Sequence, residues 1–321
     1  MNSCGVSFTD KRVVGRFAPS PTGRMHAGNI FAYLMAWLAA KSRGGDVLLR
    51  IEDIDESRSR TEYADAIMRD LESLGLYWDG TPVYQSSRKQ FYRDALNELI
   101  ASDNTYECFC TRAEANIQSA PHSGEESGYK GTCRHLCETE RKKRILEASA
   151  HDRKPSLRCR VVDSRICFVD IFQGEQAGTL QAGYDDFILR RSDNLFAYQL
   201  AVIVDDAQFG INCVVRGYDL LTSTKRQIYL QSLLGYEKPT YGHVPLLVNE
   251  DGRRLSKRDK DASLDCMIDT YKSTEAVLGH IAYITGITEC DEPTTPEQLL
   301  SCYNEHELGK HFKECPNIIY S

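Results

Sequence analysis

Apolar positions divide the chain into short runs and helical stripes. Val13-Val14 precedes a polar loop, Pro19 to Gly28, that holds two prolines and two glycines. Ile30 to Ala40 is apolar almost throughout and is long enough for a buried helix. Asn29 stands before it as an N-cap by residue type. Gly44-Gly45 ends this helix, and Val47 to Ile51 reads as a buried strand. Thr61 to Leu74 has apolar residues at Ala64, Ile67, Met68, Leu71 and Leu74, one face of a helix. Asp79-Gly80-Thr81-Pro82 is a turn. Val83 to Gln85 reads as a short strand and Arg88 to Ile100 as an amphipathic helix. This alternation predicts an α/β fold with a doubly wound parallel sheet.

The pattern changes near Tyr106. Cys108-Phe109-Cys110 opens a polar region with a loose loop from Ser119 to Gly128, closing at Tyr129 to His135. A basic run, Arg141 to Arg144, follows, then strand-like runs at Leu157 to Val162 and Ile166 to Phe172. Phe187 to Arg191, a turn at Ser192-Asp193-Asn194, and Leu195 to Val204 return to strand character, with Asp205-Asp206 at the end. Val214 to Asp219 is a strand with a charged tip, and Ser223 to Leu234 a helix. Helical patterns at Asp265 to Lys272 and Thr274 to Tyr283 come last. The expected division is 1–105 and 186–245 for two halves of one catalytic domain, 106–185 for an insertion, and 246–321 for a basic loop with a short helical region.

Composition narrows the options. With 321 residues and a net charge of -7 the chain has ample core and no global basic signature. A nucleic-acid partner would need a local basic patch. No secretory segment or membrane span is visible, so no membrane partner is expected. Twelve cysteines without a secretory segment point to reduced thiols or metal ligands in a cytoplasmic protein.

The loop between the first strand and helix suits phosphate. A helix N-terminus gathers unpaired N–H groups and a positive dipole end. Gly28 lets the backbone approach a ligand, and His26 can hydrogen-bond a phosphate oxygen. Glu52, Asp53 and Asp55 follow a parallel strand, where side chains enter the ligand crevice of a doubly wound sheet. Arg254-Leu255-Ser256-Lys257-Arg258 is a dense positive loop able to neutralise a leaving pyrophosphate.

Pro19 to Gly23 with His26-Ala27-Gly28-Asn29 resembles the first signature of class I aminoacyl-tRNA synthetases, and Leu255-Ser256-Lys257-Arg258 resembles the second. Gly15 to Pro21, Arg50 to Asp55 and Val215-Arg216-Gly217 look like the glutamyl-tRNA synthetase family. The resemblance spans about residues 13 to 264 and implies a Rossmann-like class I catalytic domain. Arg16 and Arg216 would then bind the carboxylates of L-glutamate, since a guanidinium fork suits a carboxylate. Glu52 would take the α-ammonium group. Phe17, Ala18, Pro19, Ser20 and Tyr198 would complete the amino-acid site. His26, Gly28, Asn29, Ser256 and Lys257 would hold ATP, with His26, Asn29 and Lys257 serving catalysis and Mg²⁺ bound with the triphosphate. Arg254 stands where the second signature usually has lysine.

The same resemblance implies one Zn²⁺ on Cys108, Cys110 and Cys133. His135 is the commoner fourth ligand chemically, but Tyr129 matches the short members of the family, and on that resemblance Tyr129 is the expected fourth ligand. About sixty residues follow Lys257, too few for the anticodon-binding region of full-length members. The expectation is a shortened branch that activates glutamate without tRNA and attaches it to the queuosine base in the anticodon of tRNA(Asp), acting as a monomer. The competing readings are a glutamyl-tRNA synthetase without its anticodon module and a non-catalytic regulatory paralogue.

Overall fold

The structure is a computed structural model that describes residues 11–111, 113–114, 128–253, 255 and 263–320. It opens with strand β1 (Val14–Phe17), helix α1 (Ala27–Lys41), β2 (Asp46–Ile51), α2 (Thr61–Ser73), β3 (Val83–Tyr84) and α3 (Lys89–Ala101). Then come β4 (Thr105–Cys108), α4 (Glu138–Ser149), β5 (Ser156–Cys159), β6 (Ser164–Asp170), β7 (Gly174–Leu180) and β8 (Ile188–Arg190). Helix α5 (Tyr198–Gln208), β9 (Cys213–Gly217), α6 (Leu221–Leu233), β10 (Thr240–Val244) and β11 (Leu246–Val248) follow. The chain closes with α7 (Leu264–Tyr271), α8 (Thr274–Ile284), α9 (Pro296–Leu299), α10 (Glu305–Glu314) and β12 (Asn317–Ile319).

Strands β1, β2 and β3 are parallel and adjacent in that order, and β9 pairs parallel with β10. β9 lies beside β1: the Asn212 N–H donates to the Val14 carbonyl at 3.0 Å, and the Asn212 side chain accepts from the Val14 N–H at 2.8 Å. Chain order therefore reverses between β1 and β9. In a doubly wound sheet this reversal opens a crevice at the carboxyl ends of the strands. Helix α1 covers the reversal with a side-chain set that is buried nearly all round, from Ile30 to Ala40.

The region after residue 105 has a small buried cluster of its own around Tyr106, Cys108, Phe109, Tyr129, Cys133 and Ala148, and its strands join it to the rest. β5 pairs with both β4 and β8, and β6 reaches the central sheet through the pairing of Asp170 with Tyr241. The last sixty residues also join the first core. Phe312 is fully buried and packs edge-on against Phe31 and Phe172, and β12 pairs parallel with β11.

Two local expectations are corrected. Helix α1 begins at Ala27, so its N-cap is His26; Asn29 is its third residue and accepts the His26 N–H at 3.2 Å. Residues Leu195 to Val204 are not a strand. The hairpin closes with Arg190 opposite Phe196, and α5 then starts at Tyr198. Leu200 to Val204 are all almost fully buried, and a short run buried on every side carries no period that separates strand from helix. Among the described residues no helix is long and apolar enough to cross a membrane.

Candidate active site

A cavity of about 1140 Å³ opens where β1, β2 and β9 end. Strand alternation sends Arg16 into it and turns Phe17 the other way. Phe17 is fully buried against Tyr33 and does not line the cavity, so its expected place among the amino-acid contacts is corrected to a packing role. Ala18, Pro19 and Ser20 line the cavity, and the Pro19 carbonyl accepts the Glu52 N–H at 2.8 Å, tying the first loop to the end of β2.

Arg16, Arg216, Glu52 and Tyr198 meet in this cavity. Arg16 is 4% exposed and Arg216 5%. Burial lowers the Arg16 pKa; Asp206 opposes this, and Arg50 and Arg216 add to it by repulsion. Arg16 Nη1 donates to the Val215 carbonyl at 2.9 Å, and its Nε lies 4.0 Å from Asp206. Arg216 Nη2 donates to Thr224 Oγ1 at 2.9 Å and Gln227 Oε1 at 2.7 Å, and its Nη1 is 3.5 Å from the Tyr198 hydroxyl. Burial raises the Tyr198 phenol above its ordinary pKa.

A second arginine set holds Glu52. Arg50, 1% exposed, donates from Nη1 to Asp206 at 2.5 Å and from Nη2 to Glu52 Oε1 at 3.0 Å. Asp205 accepts from Arg88 at 2.6 Å, Tyr92 at 2.7 Å and Gln85 at 2.9 Å. Burial pushes the Glu52 carboxyl above its ordinary pKa, against the pull of Arg50. With Arg50 assigned to Asp206 and Arg88 to Asp205, the charged side chains left at the ends of β1, β2 and β9 are Arg16, Arg216 and Glu52. The sequence reading missed Arg50, Asp205, Asp206, Thr224, Gln227, Asp170 and His243. The available signal was acid inside an apolar run, since Asp205-Asp206 directly follows Leu200 to Val204 and buried charge requires a partner.

His26, Gly28 and Asn29 also line the cavity, at the N-terminus of α1, whose first turn contains no acidic residue. A Cβ at Gly28 would stand 3.1 Å from the His26 ring, so glycine allows the ring to lie over the helix start. Ser256 and Lys257 lie outside the described residues, as does Arg254. Leu255 is buried and bonds to the Leu247 carbonyl through its N–H, and Ser263 pairs with His26 across an antiparallel bridge.

At the insertion end, Cys108, Cys110 and Tyr129 line the same cavity. The sulfurs of Cys108, Cys110 and Cys133 all lie within 4.8 Å of one another. Cys110 and Cys133 are 3.6 Å apart, and the Tyr129 hydroxyl is 3.4 Å from Cys108 and 3.9 Å from Cys110. A tetrahedral ion with bonds of about 2.0–2.3 Å needs donor separations of roughly this size. The Phe109 N–H points at the Cys133 sulfur at 3.5 Å, which suits a thiolate. The Arg158 guanidinium stacks on the Tyr129 ring at 3.8 Å and locks its position. His135 is exposed and is not part of the cluster, so the four donors that fit are three sulfurs and the Tyr129 oxygen.

The family model for tRNA synthetases class I (E and Q), catalytic domain, matches residues 12–296. The glutamyl-Q tRNA(Asp) synthetase of Symbiobacterium thermophilum is 44% identical over 301 residues, 90% of this chain and 92% of that protein. That of Nitratidesulfovibrio vulgaris is 44% identical over 294 residues, 88% and 89% of the two chains. Among solved structures, the glutamate-tRNA synthetase of Elizabethkingia anophelis superposes with a TM-score of 0.76 at 26% identity, covering 97% of this chain and 68% of that one.

The donor geometry sets an expectation for metal content. Protein prepared in metal-free buffer should carry one tetrahedral divalent ion per chain by elemental analysis. Cys108→Ser should lose it and loosen the region around β4, because a structural metal supplies local folding energy. Tyr129→Phe should weaken binding while His135→Ala leaves it unchanged; the reverse order would remove Tyr129 from the donor set.

Proposed function

The chain belongs to the class I tRNA synthetase family of the glutamate and glutamine enzymes, among the glutamyl-Q tRNA(Asp) synthetases, and from that premise we propose how its residues act. It is a ligase that joins glutamate to tRNA. In the proposed reaction, glutamate is first activated with ATP, without tRNA. The acyl group then passes to the queuosine base in the anticodon of tRNA(Asp). The observation that carries this reading is the meeting of Arg16, Arg216 and Glu52 in one cavity at the head of α1.

The charges match. Glutamate brings two carboxylates and one ammonium group; at the strand ends Arg16, Arg216 and Glu52 offer two guanidinium groups and one carboxylate. Glutamine would leave one buried guanidinium without its counter-charge, which costs several kcal/mol in a desolvated site. Arg16 and Arg216 take the carboxylates, and Glu52, held by Arg50, takes the ammonium. Ser20 and Tyr198 add hydrogen bonds. His26, Gly28 and Asn29 seat the ATP phosphates at the helix N-terminus, and Ser256 and Lys257 complete that seat. The glutamate carboxylate attacks the α-phosphorus, the bond to pyrophosphate breaks, and Lys257 stabilises the leaving charge. An acceptor hydroxyl on the modified base then attacks the acyl carbon and AMP leaves. No protein nucleophile enters either step; orientation and fixed charge lower the barrier. Mg²⁺ accompanies the triphosphate and screens its charge. Zn²⁺ is the ion that suits Cys108, Cys110, Cys133 and Tyr129, and there it braces the insertion.

Two tests follow. Glutamate-dependent exchange of pyrophosphate into ATP should proceed without RNA, and labelled glutamate should pass to tRNA(Asp) only when queuosine is present. Lys257→Ala should slow exchange by roughly two orders of magnitude. Exchange that requires tRNA, or charging of tRNA(Glu), would replace this reading with that of a glutamyl-tRNA synthetase. The second test uses pH. Glu52 must be ionised to hold an ammonium group, and its raised pKa means that the neutral form takes over at a higher pH than for an ordinary glutamate, about 4.3. On acidification, kcat/KM for glutamate should therefore fall with a midpoint above that value. Glu52→Gln should remove this acid limb and weaken glutamate tenfold or more. An acid limb that persists in Glu52→Gln belongs to another group.

A further inference from the structure

Arg216 does not stand alone in β9. His243 is its register partner in β10, and Tyr241, two residues earlier, pairs with Asp170 at the end of β6. His243 is fully buried and Asp170 is 1% exposed. One oxygen of Asp170 accepts three backbone N–H groups, from Phe172, Gln173 and His243, each at 3.0 Å. The other lies 2.6 Å from His243 Nδ1. Asp170 thus serves as the acceptor on both oxygens, and the proton between it and His243 sits on Nδ1. The opposite nitrogen, Nε2, is then an acceptor. Arg216 Nε donates to it at 3.1 Å.

This arrangement fixes the imidazole as neutral. A second proton on Nε2 would face a guanidinium at hydrogen-bond distance. Burial lowers the His243 pKa and the Arg216 charge lowers it further, against the pull of Asp170. The arrangement also fixes which edge of Arg216 is presented. Nε is taken by His243, and Nη2 by Thr224 and Gln227; only Nη1, beside Tyr198, is directed at the cavity. A guanidinium is planar, so holding two of its nitrogens sets the direction of the third.

We propose that Asp170 and His243 form a positioning relay that aims the Nη1 edge of Arg216 at the side-chain carboxylate of the amino acid and so sharpens the choice of glutamate over glutamine. The proposal rests on the reading that Arg216 binds that carboxylate. His243 and Asp170 do not line the cavity and act only through Arg216.

The test is pyrophosphate exchange by the full chain, across concentration series of glutamate, glutamine and ATP. His243→Asn places an amide near the former Nδ1, so it keeps the contact with Asp170 but leaves Arg216 Nε without its acceptor. The KM for glutamate should rise about ten- to a hundredfold, as for loss of a charged hydrogen bond. The KM for ATP should stay within about twofold and the glutamate-to-glutamine ratio should fall. His243→Gln carries an oxygen near the former Nε2 and should recover most of the loss. Asp170→Asn offers an amide donor to Nδ1, so the imidazole proton moves to Nε2 and meets Arg216 donor to donor; this variant should behave like His243→Asn. Unchanged glutamate KM and ratio in both His243→Asn and Asp170→Asn would overturn the relay. Equal losses for glutamate and ATP in all three variants, Gln included, would also overturn it, since His243 would then be a packing residue. Parental protein with no preference for glutamate would instead overturn the assignment of Arg216 itself.

Discussion

Two guanidinium groups buried at the mouth of one cavity govern the architecture around them. Arg16 and Arg216 repel each other, and burial removes the water that would screen them. Each uncompensated buried charge costs several kcal/mol, so the fold has to supply anions or acceptors close by. It draws them from distant parts of the chain. Asp206 comes from α5, Glu52 from the end of β2, and Asp170 reaches Arg216 from β6 through His243. The result is that Arg16, Arg216 and Glu52 leave one cation in excess at the strand ends, which under the proposed reading an amino acid carrying two carboxylates would neutralise. Recognition and stability are thus coupled: the same partners that make burial of the arginines tolerable also orient them.

Sheet topology brings these groups together. Arg16 and Arg216 lie in β1 and β9, the two strands that flank the reversal of chain order, and Glu52 follows β2. Their side chains share a crevice because the strands run parallel and end at the same level. Helix α1 starts from that level, so its N-terminus and the paired arginines are neighbours in one cavity. The C-terminal segment braces this geometry from behind. Phe312 packs on α1 through Phe31, and β12 holds β11, the strand that leads toward the second signature.

Much of this was legible from residue order. The first loop, the acidic end of β2, the arginine at the tip of β9 and the paired thiols each combine an unusual residue type with a position at the end of an element. What escaped the sequence had a common cause. Phe17 adjoins Arg16, but strand alternation places it in the core, and a motif read as a string does not register that alternation. Helix α5 was read as a strand because an apolar run buried on all sides has no distinguishing period, and this hid Asp205 and Asp206 as the anchors of Arg50 and Arg88. His243 and Asp170 lie seventy-three residues apart and acquire meaning only once β6 and β10 are paired. Tyr129 is expected as the fourth donor from resemblance alone; residue chemistry favours His135, and the fold turns the Tyr129 hydroxyl toward the sulfurs.

The claim at the centre is that paired positive charge, and not pocket size, selects the amino acid. A site built around a charge rejects an analogue lacking it far more strongly than an apolar pocket discriminates shape. The most direct measurement compares glutamate with glutamine in pyrophosphate exchange by the parent and by Arg216→Gln, which keeps hydrogen-bond donors and removes the charge. Lost affinity for glutamate together with a narrowed gap to glutamine is the expected result. Glutamate kinetics and a glutamate-to-glutamine ratio unchanged by Arg216→Gln would contradict the account.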